Sequence, residues 1–234
     1  MKAIYKTKGK AKEYCELAVN IYDGCTNGCT YCFAPDVRHT DREKFYKTVH
    51  PRPGIVESVC AQMIGGTYAG KTIQLCFTCD PYPTGIDTSI TREVIRALKE
   101  GGAHVQILTK NPHAVERDYD LLDKNDLVGT TISGAGLDIE QNSETTQERL
   151  DGIKAAKDAC GCEAWVSCEP VFDESVIYDI LENIDWIDTY KVGKTNYVDD
   201  CDIDWRAFGK KVVELGEKYG REVLIKDGLR QEIE

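Results

Sequence analysis

The sequence predicts an α/β protein built on a parallel sheet, and three observations lead there. Six short apolar runs alternate with helical stretches between residues 15 and 219, the alternation is unbroken, and no linker or internal repeat interrupts it. Strands that alternate with helices pair in parallel through right-handed crossovers. The pattern alone suits either a doubly wound sheet or a barrel. No G-x-G-x-x-G follows the first strand, so a dinucleotide-binding fold lacks its fingerprint. At 234 residues the chain reads as one domain, 1–234, with a basic arm at 1–13 and a C-terminal helix and short tail at 200–234.

In chain order, Lys2, Lys6, Lys8, Lys10 and Lys12 make the N-terminal arm, read as a solvated, partly disordered terminus. Cys15 to Tyr22 is an apolar, strand-like run. Residues 34–53 are polar and basic with three prolines, and read as a long connection across one face. Gly54 to Ile64 carries a helical stripe, ended by Gly65-Gly66. Strand Thr72–Cys79 precedes helix Thr88–Glu100, which has Ile90, Val94, Ala97 and Leu98 on one face and stops at Gly101-Gly102. Strand His104–Thr109 leads to helix His113–Leu122, and strand Leu127–Ser133 to helix Thr145–Ala159. There Thr145-x-x-Glu148 forms a capping box and Gly161 the stop. Strand Glu163–Cys168, helix Glu174–Asn183, strand Trp186–Val192 and helix Trp205–Tyr219 follow, and Glu222–Ile225 adds a short strand.

Directly after the first strand, Cys25, Cys29 and Cys32 fall in a C-x3-C-x2-C pattern punctuated by Gly24 and Gly28. Glycine lets a backbone fold closely around what the thiolates hold. Thiolate-rich sites select iron–sulfur clusters, zinc or cuprous copper. A cubane cluster normally takes four protein thiolates, so three from one loop leave one iron open to a substrate. The competing reading is a zinc knuckle that borrows Cys60, Cys76 or His39, although zinc sites generally show two separated pairs.

The loop resembles the signature of the radical S-adenosylmethionine (SAM) superfamily, with Tyr31 preceding the third cysteine. The wider wording, Asn20, Tyr22, Gly24, Cys25, Cys29, Tyr31, Cys32, Phe33 and Ala34, is similar to the branch containing spore photoproduct lyase. So is Asp80-Pro81-Tyr82-Pro83 followed by Thr91-Arg92, then Thr109-Lys110 and Glu116-Arg117-Asp118; the likeness runs from about residue 15 to 200. It implies a partial (β/α)6 TIM-like barrel. It also implies a [4Fe-4S] cluster on the three cysteines, SAM as second cofactor, and an electron donor such as flavodoxin or ferredoxin. Lys110 and Ser133 would contact the SAM carboxylate, and the Cys79-Asp80 turn would lie against the SAM amino group. Cys79, or Cys76 on the same strand, would donate a hydrogen atom to a product radical. The two are three apart and should face opposite sides of a regular strand unless it bends or ends between them.

Other strand-end residues leave alternatives open. Glu169 is either a holder of the SAM ribose or substrate, or a solvated loop residue, and Lys191 and Asn196 share that ambiguity. Tyr82, Tyr31 and Phe33 shape a cavity or pack. Cys60 and Cys15 read as small core residues, while Cys160, Cys162, Cys168 and Cys201 are too loosely spaced for a clear second cluster. By analogy with the lyase, the substrate is a nucleotide or nucleic acid; a small metabolite or a peptide is the alternative, as is a non-catalytic electron carrier. The net charge of −11 argues against a broad grip on a phosphate backbone but leaves room for a local basic channel. Eleven cysteines without a signal-peptide core suit a reducing cytoplasmic setting, and no apolar run approaches the ~20 residues of a membrane span.

Overall fold

The computed structural model describes residues 2–195 and 202–234; Asn196 and Cys201 lie outside the described residues. The ten strands are β1 (Ile4–Lys6), β2 (Leu17–Val19), β3 (Tyr22–Asp23), β4 (His50–Pro51), β5 (Thr72–Leu75), β6 (His104–Leu108), β7 (Leu127–Thr131), β8 (Glu163–Cys168), β9 (Thr189–Val192) and β10 (Val223–Ile225). Eight of them form one sheet in the order β1-β2-β5-β6-β7-β8-β9-β10. Every pairing in it is parallel except β1 with β2.

The six strands expected from the sequence are β2 and β5 to β9, and each lies beside the next in the chain. Strand order never reverses, so this is the winding of a barrel and not of a doubly wound sheet. The barrel stays open, with β1 at one edge and β10 at the other. The helices are α1 (Ala34–Val37), α2 (Arg42–Lys47), α3 (Ile55–Met63), α4 (Ser89–Glu100), α5 (Thr146–Cys160), α6 (Glu174–Asn183), α7 (Trp205–Tyr219) and α8 (Asp227–Ile233), with 310 turns at Gly9–Glu13 and Pro112–Leu121. No helix among the described residues is long and apolar enough to cross a membrane.

Local chemistry explains the elements. The α4 stripe buries Val94, Ile95, Ala97 and Leu98 against the sheet. The capping box at Thr145 and Glu148 is formed, and Gly161 ends α5 in the left-handed conformation. Gly129 in β7 carries no Cβ because the Trp165 ring of β8 lies 2.4 Å from where one would stand.

Several expectations change. The N-terminal arm is ordered: Ile4–Lys6 pairs antiparallel with β2, and buried Ile4 anchors it. The run 15–22 divides, because β3 leaves the main sheet to pair with β4. Strand 72–79 ends at Leu75, since Cys76 turns to φ 62°. The connection 34–53 holds α1 and α2. Residues 112–121 wind as a 310 helix, and the C-terminal tail contains α8. Cys60 on α3 is exposed, whereas the half-buried Cys15 thiol donates to the Thr72 carbonyl at 3.3 Å.

Candidate functional site

The C-terminal ends of the parallel strands open onto a cavity of about 680 Å3. Cys25, Cys29, Cys32, Cys79, Asp80 and Lys110 line one part of it, and Tyr14, Glu169 and Lys226 belong to the same lining.

The cysteine loop is held from two sides. On one, Cys25 N donates to Phe45 O (3.1 Å), Tyr46 OH to Cys29 O (2.5 Å) and Arg42 to Thr30 O (3.1 Å). On the other, the loop after β7 receives Thr30 N at Ile139 O (3.0 Å) and returns Asn142 N to Asn27 O (3.1 Å). Gly24 is obligatory: its φ is +89°, and a Cβ there would sit 2.3 Å from Thr48 O. Burial pushes all three thiols above their ordinary range, most strongly Cys25, so without a cation they stay protonated. A bound metal reverses that logic by deprotonating a coordinating thiol. No three His, Cys, Asp or Glu side chains among the described residues converge on a single-ion site. A cubane sets a different demand, because each thiolate takes its own iron. Three cysteines of one firmly held loop on one cavity wall fit that group.

Asp80 is 7% exposed and its carboxylate is fully engaged. It accepts from Asn27 Nδ2 (2.8 Å), Tyr82 N (2.8 Å), Thr109 Oγ1 (2.6 Å) and Lys110 N (2.9 Å). Two oxygens offer about four lone-pair sites, so this geometry leaves none for a SAM ammonium. Asp80 ties the cysteine loop to the end of β6. Lys110, by contrast, turns its ammonium to the cavity. Its Nζ makes no hydrogen bond to another described residue, its nearest carboxylate oxygen being Glu140 Oε1 at 3.9 Å. Burial works to lower the Lys110 pKa, but Cys29, once ionised, and Glu140 outweigh it and raise it above the ordinary value.

Ser133 lies behind the cavity wall, 1% exposed, with its hydroxyl donating to Glu140 Oε1 at 3.2 Å. Glu140 was not singled out in the sequence, and it is the centre of this wall. Besides Ser133 it accepts from the Tyr31 hydroxyl and from Arg149 (2.5 Å), and it is 1% exposed. Burial would raise its pKa, yet Lys110 and Arg149 hold it below the ordinary carboxylate range. A signal was available: Arg149 falls in the buried stripe of α5 with Gly152, Ile153 and Ala156. An arginine on an apolar face requires a buried acid. Tyr31 lines the cavity as expected and its ring packs on Phe172, centroids 5.4 Å apart.

Cys76 and Cys79 both line the cavity, because the strand ends before them. The two thiols are near enough to influence one another's ionisation. Burial opposes ionisation of Cys79, but Cys76, the Tyr22 backbone and Arg52 bring its pKa below the ordinary value.

Glu169 is no solvated loop residue: it pairs with Lys226 and accepts from the Tyr14 hydroxyl at 3.1 Å. The Tyr14 hydroxyl also bonds Ser167 Oγ at 2.8 Å, and its ring lies 4.2 Å from the Lys226 ammonium. Lys191 is buried beneath, donating to Tyr14 O at 3.0 Å and lying over the Trp165 ring. Tyr82 is core, its hydroxyl bonded to buried Asp118 at 2.9 Å; Phe33 is exposed at the cavity rim. Cys162 precedes β8 and Cys168 ends it. Six residues at about 3.3 Å each put them roughly 20 Å apart, too far to share a cluster.

No family model matches the sequence, and no curated protein matches it. Solved structures do match. A spore photoproduct lyase variant superposes with a TM-score of 0.69 at 13% identity, covering 95% of this chain and 79% of that one. Another, with bound AdoMet and dinucleoside spore photoproduct, gives 0.68 at 13% identity over 94% of this chain and 78% of that one. Streptococcus suis SuiB bound to S-adenosylmethionine gives 0.64 at 11% identity, over 89% of this chain and 49% of SuiB. With its open, mostly parallel eight-stranded sheet, the chain has the fold of spore photoproduct lyase.

Proposed function

We propose that the chain is a radical SAM enzyme with a [4Fe-4S] cluster on Cys25, Cys29 and Cys32. The observation that carries this reading is a single cavity lined by three loop cysteines and by Lys110, whose ammonium makes no hydrogen bond among the described residues. When bound and reduced, such a cluster supplies the electron that cleaves SAM to methionine and a 5′-deoxyadenosyl radical. The chain's own part is to position. Lys110 offers charge-assisted donors to the methionine carboxylate, while Glu140 keeps Lys110 charged and orients Tyr31. Asp80 fixes the Lys110 backbone relative to the cysteine loop. The Cys79 thiol, which packs on the small apolar cluster containing Cys25, would return a hydrogen atom to a product radical.

The substrate we favour is a nucleotide or nucleic-acid fragment. Lys8 and Lys10 supply cations to the cavity lining of an otherwise acidic chain, the local basic character a phosphate would require. Two neighbours were solved with a dinucleoside spore photoproduct and with a precursor peptide, and a peptide is the second reading. A low-potential carrier of the flavodoxin or ferredoxin type would supply electrons. The test is anaerobic reconstitution with iron and sulfide, reduction by dithionite, and chromatography after adding SAM. Methionine and 5′-deoxyadenosine are expected, with both lost when the three cysteines are replaced by alanine. Stoichiometric zinc without iron, or a reduced cluster with bound SAM and no cleavage, would overturn the proposal.

A further inference from the structure

Two cysteines of the cavity wall have no part in the proposed cluster, and their geometry gives them chemistry of their own. Cys76 and Cys79 form a C-x-x-C pair at the end of β5. Cys76 N makes the last bond to the neighbouring strand, to Val19 O at 2.8 Å. Its φ of 62° then turns the chain through the left-handed region, which residues with a Cβ enter seldom and mostly at functional sites. That turn cancels the alternation that would separate residues three apart. Both residues therefore line the same cavity, three apart in the chain and on one side of the turn. The bend is held from outside: Asn20 Oδ1 accepts from Phe77 N (2.8 Å) and Thr78 N (3.0 Å), and Arg52 donates to Thr78 Oγ1 (3.3 Å).

We propose that Cys76 and Cys79 are a redox-active dithiol that closes to an intramolecular disulfide. Cys79 is the more accessible of the two and attacks first. Against a small disulfide oxidant such as glutathione disulfide, its thiolate forms a mixed disulfide and expels one glutathione thiolate. The Cys76 thiolate then attacks the Cys79 sulfur and expels the second. The pair loses two electrons and two protons, and the oxidant's S–S bond becomes two thiols. A closed pair removes the Cys79 hydrogen from the cavity, so oxidation would silence the donor role while leaving the cluster cysteines in place. The chemistry of the pair stands whether or not the chain cleaves SAM.

The full chain, both as purified and after iron reconstitution, is equilibrated in buffers of graded glutathione to glutathione-disulfide ratio. Free thiols are then alkylated, and a tryptic digest is weighed without reduction. The peptide from Thr72 to Arg92 contains both cysteines and no other. It should appear unalkylated and about 2 Da below the dithiol mass, and should take two labels after reduction. In Cys76→Ser the same peptide should carry one glutathione on Cys79. Two labels at every ratio would overturn the proposal, and so would a peptide cross-linked to the Cys25–Cys32 loop. Should Cys76→Ser fail to fold, the wild-type peptide mass decides alone.

Discussion

Replacing Glu140 by glutamine tests whether the wall behind Lys110 is built as described. Glu140 accepts from Arg149, Ser133 and Tyr31 at a site 1% exposed. A glutamine keeps one acceptor oxygen for the hydroxyls and turns an amide NH2 toward the guanidinium. Arg149 cannot deprotonate, its side chain is 3% exposed, and its Nε already lacks a partner. Among the described residues only the Thr131 carbonyl, at 2.9 Å, would remain to it. Stranding one member of a buried pair costs about 3–5 kcal/mol, a large share of the roughly 5–15 kcal/mol typical of a domain. Urea unfolding of the apoprotein at neutral pH should show that loss, and Glu140→Gln with Arg149→Met should recover most of it by removing the stranded charge. The sign with pH follows from the depressed carboxyl. Its stabilisation is fully present above the ordinary value of 4.5 and is lost as pH falls through the lower folded value. The gap between wild type and Glu140→Gln should therefore narrow in acid. A single variant within about 1 kcal/mol of wild type, or a double variant no better than the single, would refute the reasoning.

Two further outcomes are expected. Lys110→Ala should keep its iron but bind SAM on the order of tenfold to a hundredfold more weakly, since a charge-assisted hydrogen bond is worth about 1.5–3 kcal/mol; equal affinity by titration of the cluster's EPR signal would remove Lys110 from the site. Gly24→Ala should sharply lower iron incorporation while far-ultraviolet circular dichroism stays near wild type, because the added Cβ meets Thr48 O and displaces the loop; full iron content would show that the loop has slack.

What the sequence disclosed was local. Thr145 and Glu148 are three apart and Gly161 follows the apolar stripe, so the α5 cap and stop could be read from spacing. Gly24 and Gly28 likewise announced a tight loop. What stayed hidden depends on partners far along the chain. Glu140 sits in a polar loop that resembles any solvated acid, and its ligands come from Tyr31, Ser133 and Arg149 on three separate segments. The engagement of Asp80, expected against the SAM amino group, was hidden because Asn27 and Thr109 are distant in sequence. The five lysines of the arm masked Ile4 and Tyr14, whose burial and hydrogen bonds pin it down. For Cys76 and Cys79, the spacing left open whether the strand ends or bends near them, and the φ of Cys76, which decides it, has no signature in a residue with a Cβ.

The open edge of the sheet has a mechanical consequence. No strand hydrogen bonds join β1 to β10; instead Glu13 accepts from Asp227 N at 2.8 Å and meets Lys226 at 3.6 Å, and Lys226 pairs with Glu169. That seam is closed by side-chain charges rather than by a ladder, and at 7–20% exposure they are screened by salt far less than surface pairs. Amide hydrogens of residues 9–14 and 226–229 should therefore exchange faster in Glu13→Gln than in the wild type, while those of β6 to β8 hold to the global unfolding limit. A barrel stitched in this way depends, along that one line beside Tyr14, on three side chains where its other strands depend on backbone.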